Sequence, residues 1–176
     1  MIERTRIGWV KPPAVLVAVA ALVAVVGVGM TMFGSQRIGV STDEPGHVRR
    51  LNSYVAFGLY TRAFEQRATP AGEIPVGAYV YGPVTSILQH DANRLLGNEP
   101  SYEARTRPYH YEVRHAVIAV MSVVGLLATV ALGWTLLGTW RWGVMTGGIL
   151  AATPLWVGHG MFNMKDVPVA TGHTLV

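Results

Sequence analysis

AVLVAVAALVAVVGVGMTMF, residues 14–33, decides the fold, because it holds no charged residue. At ~1.5 Å of rise per residue, such a helix covers about 30 Å, the hydrocarbon core of a bilayer. Arg4, Arg6 and Lys11 precede it, as basic residues also precede a cleaved leader. The apolar run of a leader is shorter, about 7 to 15 residues, and ends at a small-x-small site. Met30, Met32 and Phe33 stand in that place here, so the run reads as a retained membrane anchor.

Two further uncharged runs follow, Ala116 to Trp140 and Trp142 to Met164, divided only by Arg141. They predict two antiparallel crossings joined by a tight turn, with Trp134, Trp140 and Trp142 at the headgroup level. From Val167 to Val176 the chain turns apolar again. The predicted fold is an all-α integral membrane protein with three transmembrane helices plus the start of a fourth, and a long outer loop carrying two amphipathic surface helices. By residue, the expectation is an N-terminus at 1–13, crossings at 14–33, 115–139 and 143–162, and a fourth beginning at 169–176. The outer loops are 34–114 and 163–168, and a cytoplasmic turn occupies 140–142.

Composition agrees with this reading. Hydrophobic residues make up 51% of the chain and charged residues 14%, against about 25% charged in an average soluble domain. With no cysteine, a disulfide framework, a zinc ribbon, a thiol nucleophile and an iron-sulfur site are all excluded. His, Asp and Glu are the metal ligands left. The formal charge of +4 is spread along the polar middle rather than gathered into a run, which argues against nucleic-acid binding.

The segment between the first two crossings is too long for a plain connection. Val48, Leu51, Val55 and Leu59 recur at steps of three and four, an amphipathic stripe whose other face carries Arg49, Arg50, Asn52 and Arg62. A second helix is predicted from Pro83, with Val84, Ile87, Leu88 and Leu95 on one side and His90, Asp91 and Arg94 nearby. Pro100 and Pro108 then punctuate the approach to the second crossing, which is expected to start as a helix near Tyr109. Three basic residues before the first crossing, and Arg141 in the short turn, place those ends in the cytoplasm. The nine arginines of the intervening segment do not overturn this, because it exceeds the roughly 60 residues over which charge counting holds. That segment is therefore expected outside.

Asp43 and Glu44 form a carboxylate pair at the membrane face, in the run Ser-Thr-Asp-Glu-Pro-Gly-His. They also suit a helix start, where Thr42 or Asp43 would cap and an acidic first turn is favoured. A second polar cluster, His159, Asn163, Lys165 and Asp166, closes the third crossing. Counting crossings brings both clusters to the outer surface, so a shared site is possible. His159 and Asn163 are four apart and share a helical face that Asp166 continues. Lys165 either snorkels to the interface or meets an anion.

Taken together, these elements resemble the polyprenyl-phosphate-dependent glycosyltransferases of the GT-C superfamily, in the branch of protein O-mannosyltransferases and aminoarabinose transferases. The residues that carry the likeness are Thr42-Asp43-Glu44-Pro45 after the first crossing and Arg114-His115 opening the second. The third part is His159-x3-Asn163-x-Lys165-Asp166-x-Pro168. The likeness covers the chain from the first helix to its end.

The resemblance implies transfer of a sugar, with inversion, from a polyprenyl-phosphate carrier to a hydroxyl or phosphate acceptor on the outer side of the plasma (inner) membrane. It implies Asp43 as the base that activates the acceptor, with Glu44 beside it. Lys165, Arg114 and His115 are implied at the donor phosphate. Asp166 and His159 would order the site or hold a divalent cation, with oxygen ligands suiting Mg or Mn and the added histidine suiting Zn. Tyr79, Tyr81 and Asn163 are candidate substrate contacts. Near the second surface helix, aminoarabinose transferases resemble Lys-Pro-Pro where this chain reads Tyr81-Gly82-Pro83, so a phosphate-binding lysine is missing there. The family builds on roughly ten or more crossings, so the chain reads as an amino-terminal portion, inactive by itself.

The alternative is a non-enzymatic small membrane protein whose arginine-rich outer loop binds a partner or anionic lipid. Transport is disfavoured, because no charged residue lies centrally in a predicted crossing.

Overall fold

The computed structural model describes residues 10–58, 60, 83–98 and 109–176, and among these every regular element is a helix. Helix α1 spans Ala14–Ser35. Pro13 lends its carbonyl to the amides of Leu16 and Val17 at 3.1 and 3.2 Å, so the chain turns helical directly after the Pro12-Pro13 pair. At the other end, the Arg37 guanidinium covers the Phe33 ring at 3.7 Å.

Helix α2, Glu44–Phe57, carries Pro45 in its first turn, where a missing N–H costs nothing. It stops at Gly58, whose φ of 72° suits glycine alone among common residues. Helix α3 is Val84–Leu95, and helix α4 is Tyr109–Leu137, starting where the sequence placed it. Gly138, at φ 78°, ends α4 and opens the turn. That turn is Gly138-Thr139 rather than 140–142, since Trp140, Arg141 and Trp142 already belong to α5, Trp140–Ala151.

The expected single helix over 143–162 is broken. After α5 the chain restarts as α6, Pro154–Gly160, with Thr153 extended between them at φ −82° and ψ 111°. Pro154 explains the break: its ring removes an amide donor and pushes the preceding residue out of the helical region. Helix α7, Asp166–Leu175, then runs back along α4, where Thr171 Oγ1 donates to the Met121 carbonyl at 3.1 Å.

Two helices are long and apolar enough to cross a membrane, α1 and the Tyr111–Leu137 part of α4. Only 22% of the most apolar stretch of α1, and 39% of that of α4, is buried inside the protein. Leu22, Val25 and Val26 on α1, with Leu127 and Leu132 on α4, face outward. These residues give both helices a largely apolar outer surface.

Helix α5 packs against both α1 and α4 through glycines. A Cβ at Gly148 would stand 2.6 Å from that of Ala20, and one at Gly143 would stand 2.5 Å from the Val130 carbonyl oxygen. Backbones this close gain dispersion contacts that need no water-driven burial. Ile118, Met164 and Val167 form the small core at the other end, with Met121 and Trp156 packed on it.

Both surface helices differ from their sequence reading. On α2 the buried face is Glu44, His47, Val48, Arg50 and Leu51, while Val55 is exposed; Leu59 and Arg62 lie outside the described residues. On α3 the polarity is inverted: Thr85, Ser86, Gln89 and Asn93 are buried, and Val84, Leu88 and Leu95 point outward. The helical period was right, but the inward face was chosen by polar partners on α4 and at Tyr60.

Candidate functional site

The two ends of the molecule are fixed by contacts distant in sequence. Arg141 Nη1 donates to the Pro12 carbonyl at 3.2 Å, which puts the α4–α5 turn beside the start of α1. At the opposite end, Gln36 Nε2 donates to the Glu112 carbonyl at 3.3 Å. The chemistry-bearing residues gather at this second end.

Asp43 occupies the position before α2, yet its carboxylate caps nothing. It accepts from Lys165 Nζ at 2.5 Å and from Ser41 Oγ at 3.0 Å. The ammonium of Lys165 holds the Asp43 carboxyl below its ordinary value of 3.8, more than partial burial raises it. The structure thus brings together the two acidic elements of the sequence, one after α1 and one before α7.

Glu44 and His115 lie side by side behind this pair. Glu44 Oε2 is 3.0 Å from His115 Nε2, and His115 Nδ1 is 3.2 Å from the Ser35 carbonyl oxygen. Both ring nitrogens are engaged and the residue is 2% exposed, so His115 is built into the wall rather than offered to a phosphate. The other carboxylate oxygen, Glu44 Oε1, is buried with no hydrogen-bond partner among the described residues.

Arg114 points to α3. Its Nη1 donates to Gln89 Oε1 at 2.9 Å, and Gln89 Nε2 returns a bond to the Arg114 carbonyl at 3.2 Å. This exchange is what buries the polar face of α3. Next to it, Tyr60 OH lies 2.6 Å from Ser86 Oγ and 3.1 Å from His47 Nδ1.

His47 reports the local field. Burial, with the positive charges of Lys165, Arg50 and Arg114 and against the carboxylate of Asp43, lowers it from 6.5 to about 4. Burial likewise raises the Tyr60 phenol, opposed by the Ser86 hydrogen bond and the same three cations. Arg50, Arg114 and Lys165 therefore all bear on buried His47, with Asp43 opposing them.

His159, Asn163 and Asp166 form a separate chain of contacts. Asn163 Nδ2 donates to Asp166 Oδ2 at 2.9 Å and lies 3.0 Å from His159 Nδ1. Asn163 Oδ1 accepts the backbone amides of Lys165 and Asp166, both at 3.0 Å, and so caps α7. The candidate substrate contact is thus occupied in holding the turn that carries Lys165. His159 Nδ1 and Asp166 Oδ2 are 3.7 Å apart. Among the described residues no group of three or more His, Asp or Glu side chains gathers to hold a metal. Of the expected cation ligands, the described residues bring only His159 and Asp166 near each other. Tyr79 and Tyr81 lie outside the described residues.

Sequence reading missed His47, Arg50, Tyr60, Ser86 and Gln89. For α2 a clue existed, since Glu44, His47 and Leu51 share one helical face. Tyr60 and Gln89 had none, because their partners are remote in sequence.

A small void of about 10 Å3, room for about one water, lies deeper in the bundle at the α5–α6 break, lined in part by Thr31, Ser122, Leu126 and Trp156. No family model, no curated protein and no solved structure matches this chain.

Proposed function

We propose that this chain forms part of a membrane glycosyltransferase that moves a sugar from a polyprenyl-phosphate carrier to a hydroxyl or phosphate acceptor. In this reading α1, α4 and the broken α5–α6 pair are three crossings, and α7 begins a fourth. The Asp43 end faces outward from a plasma membrane. The motif likeness to GT-C transferases motivates the reading. One observation carries it: the Asp43 carboxylate lies against Lys165 at the end of two apolar helices, with Arg50 and Arg114 bearing, like Lys165, on buried His47.

The chemistry follows from these groups. The acceptor oxygen attacks the anomeric carbon, the bond from that carbon to the carrier phosphate oxygen breaks, and the electron pair leaves with the phosphate. For a hydroxyl acceptor, its proton passes to Asp43, which lies on the watery side and accepts without first losing a buried partner. Lys165 stabilises the negative charge that grows on the departing phosphate, and the buried Arg114 and Arg50 add their positive field from behind without touching it. Glu44 and His115 hold the start of α2 against α4 and so position Asp43.

A second reading is favoured by α3, whose exposed Val84, Leu88 and Leu95 form an apolar face on a helix outside the crossings. Here the chain is a non-enzymatic membrane protein that binds anionic lipid or a partner.

Binding separates the two. With the chain in nanodiscs of neutral phosphatidylcholine, farnesyl phosphate should bind saturably, phosphatidylglycerol should compete with it poorly, and farnesol should bind far more weakly. Lys165→Gln should weaken farnesyl phosphate by about tenfold or more, the value of a charge-assisted hydrogen bond. Equal binding of farnesyl phosphate and phosphatidylglycerol would favour the second reading.

A further inference from the structure

Resting on that reading, we propose that Lys165 is a counter-ion exchanged between Asp43 and the donor: the incoming lipid phosphate draws Lys165 Nζ away, and only then is the Asp43 carboxylate released to receive the acceptor's proton.

The geometry supplies the starting position of the exchange. Lys165 Nζ sits on Asp43 Oδ2 at 2.5 Å, across 122 positions of sequence. The backbone that carries Lys165 is pinned, because Asn163 Oδ1 accepts the amides of Lys165 and Asp166. Only the side chain has to move, and a lysine offers a compact charge on four flexible carbons.

Exposure makes the exchange inexpensive. The Asp43 side chain is 59% exposed and that of Lys165 is 27% exposed, so parting them strands no buried charge. Exposed pairs of this kind contribute little, and a phosphate competes with a carboxylate as a stronger anion. Asp43 also keeps Ser41 Oγ at 3.0 Å, which preserves its orientation after Lys165 has left.

The direction of the exchange follows from the other charges. Arg50 and Arg114 act on His47 from the same region as Lys165, and Asp43 opposes them there, while Glu44 is engaged by His115. A phosphate enters toward the cations and away from the carboxylate. While Lys165 stays on Asp43 it is also the largest influence holding that carboxyl below its ordinary value, which makes Asp43 a weak base in the empty site. Donor arrival removes that influence and adds a negative neighbour, and both effects strengthen the base.

The consequence is an order of events. An acceptor reaching the site before the donor meets a carboxylate already neutralised by Lys165, so an activated acceptor is not formed without a sugar to receive.

A double-mutant cycle on farnesyl phosphate binding tests this, with the whole chain in phosphatidylcholine nanodiscs and folding checked by circular dichroism. Asp43→Asn should tighten binding about fivefold, since Lys165 no longer has to leave a partner. On a Lys165→Gln background the same substitution should change binding by less than about twofold. Equal tightening in both backgrounds would mean simple repulsion between Asp43 and phosphate, and would overturn the exchange while leaving the phosphate site intact. Farnesyl phosphate that binds no better than farnesol in any variant would overturn the transferase reading itself.

Discussion

Glu44 Oε2 and His115 Nε2 stand 3.0 Å apart across 71 positions of sequence, in side chains 7% and 2% exposed. The second nitrogen of the ring faces the Ser35 carbonyl oxygen, which only accepts, so Nδ1 carries a proton. Nε2 then meets the carboxyl group either as a second donor or as acceptor of the carboxyl O–H. Removing the imidazole isolates a buried acid, so His115→Leu should cost about 3 to 5 kcal/mol of stability. Glu44→Gln keeps a donor for Nε2 and should cost less than about 1.5 kcal/mol. Thermal unfolding in detergent micelles checks this, and equal losses for the two variants would contradict it.

His47 makes stability depend on pH. Its folded value of about 4 lies below the ordinary 6.5, so between these two the unfolded chain binds more protons than the folded one. Stability is therefore full above pH 6.5, falls as pH drops toward about 4, and levels below that. The His47→Gln variant should lose this part of the acid dependence, as read from unfolding midpoints at stepped pH. An unchanged slope between pH 6.5 and 4 would remove His47 as its source.

Asp43 should behave differently from its neighbour. An exposed ion pair contributes about 0 to 1 kcal/mol, so Asp43→Asn should leave unfolding almost unmoved. The same change should abolish sugar transfer in membranes where the unaltered protein supports it, with insertion and abundance intact. Unchanged turnover would reject Asp43 as the base.

How far the sequence led can be judged from single residues. The charge-free run at 14–33 and the start of α4 at Tyr109 were legible, because apolar length and proline punctuation act locally. That Asp43 and Lys165 meet was legible only as a consequence of counting crossings. The break at Thr153-Pro154 was readable in principle, since proline denies a bond to the previous turn, but an uninterrupted apolar composition masked it. The inward face of α3 was not readable. Periodicity groups Thr85, Ser86, Gln89 and Asn93 on one side, yet nothing local shows that Arg114 and Tyr60 would receive them. Arg50 was assigned to water for the same reason, since a helix wheel cannot see a buried polar neighbour.

Close helix packing gives a stability test away from the site. Gly148→Ala should cost about 1 to 3 kcal/mol, because the added carbon meets Ala20 backbone and side chain within 2.8 Å. Gly29→Ala is the control, since nothing lies within 4 Å of its added carbon. It should stay within about 1 kcal/mol of the parent. Similar losses for the two would contradict the packing of α5 on α1.

Asp43 and the turn carrying Lys165 should face the same side of the membrane, and a chain without native cysteine lets single cysteines report this directly. Single variants Asp43→Cys, Asp166→Cys and Arg141→Cys are treated with a membrane-impermeant maleimide in intact cells and again after permeabilisation. The account predicts labelling at positions 43 and 166 from outside, with position 141 reacting only once the membrane is opened. Labelling of 43 and 166 from opposite compartments would contradict it.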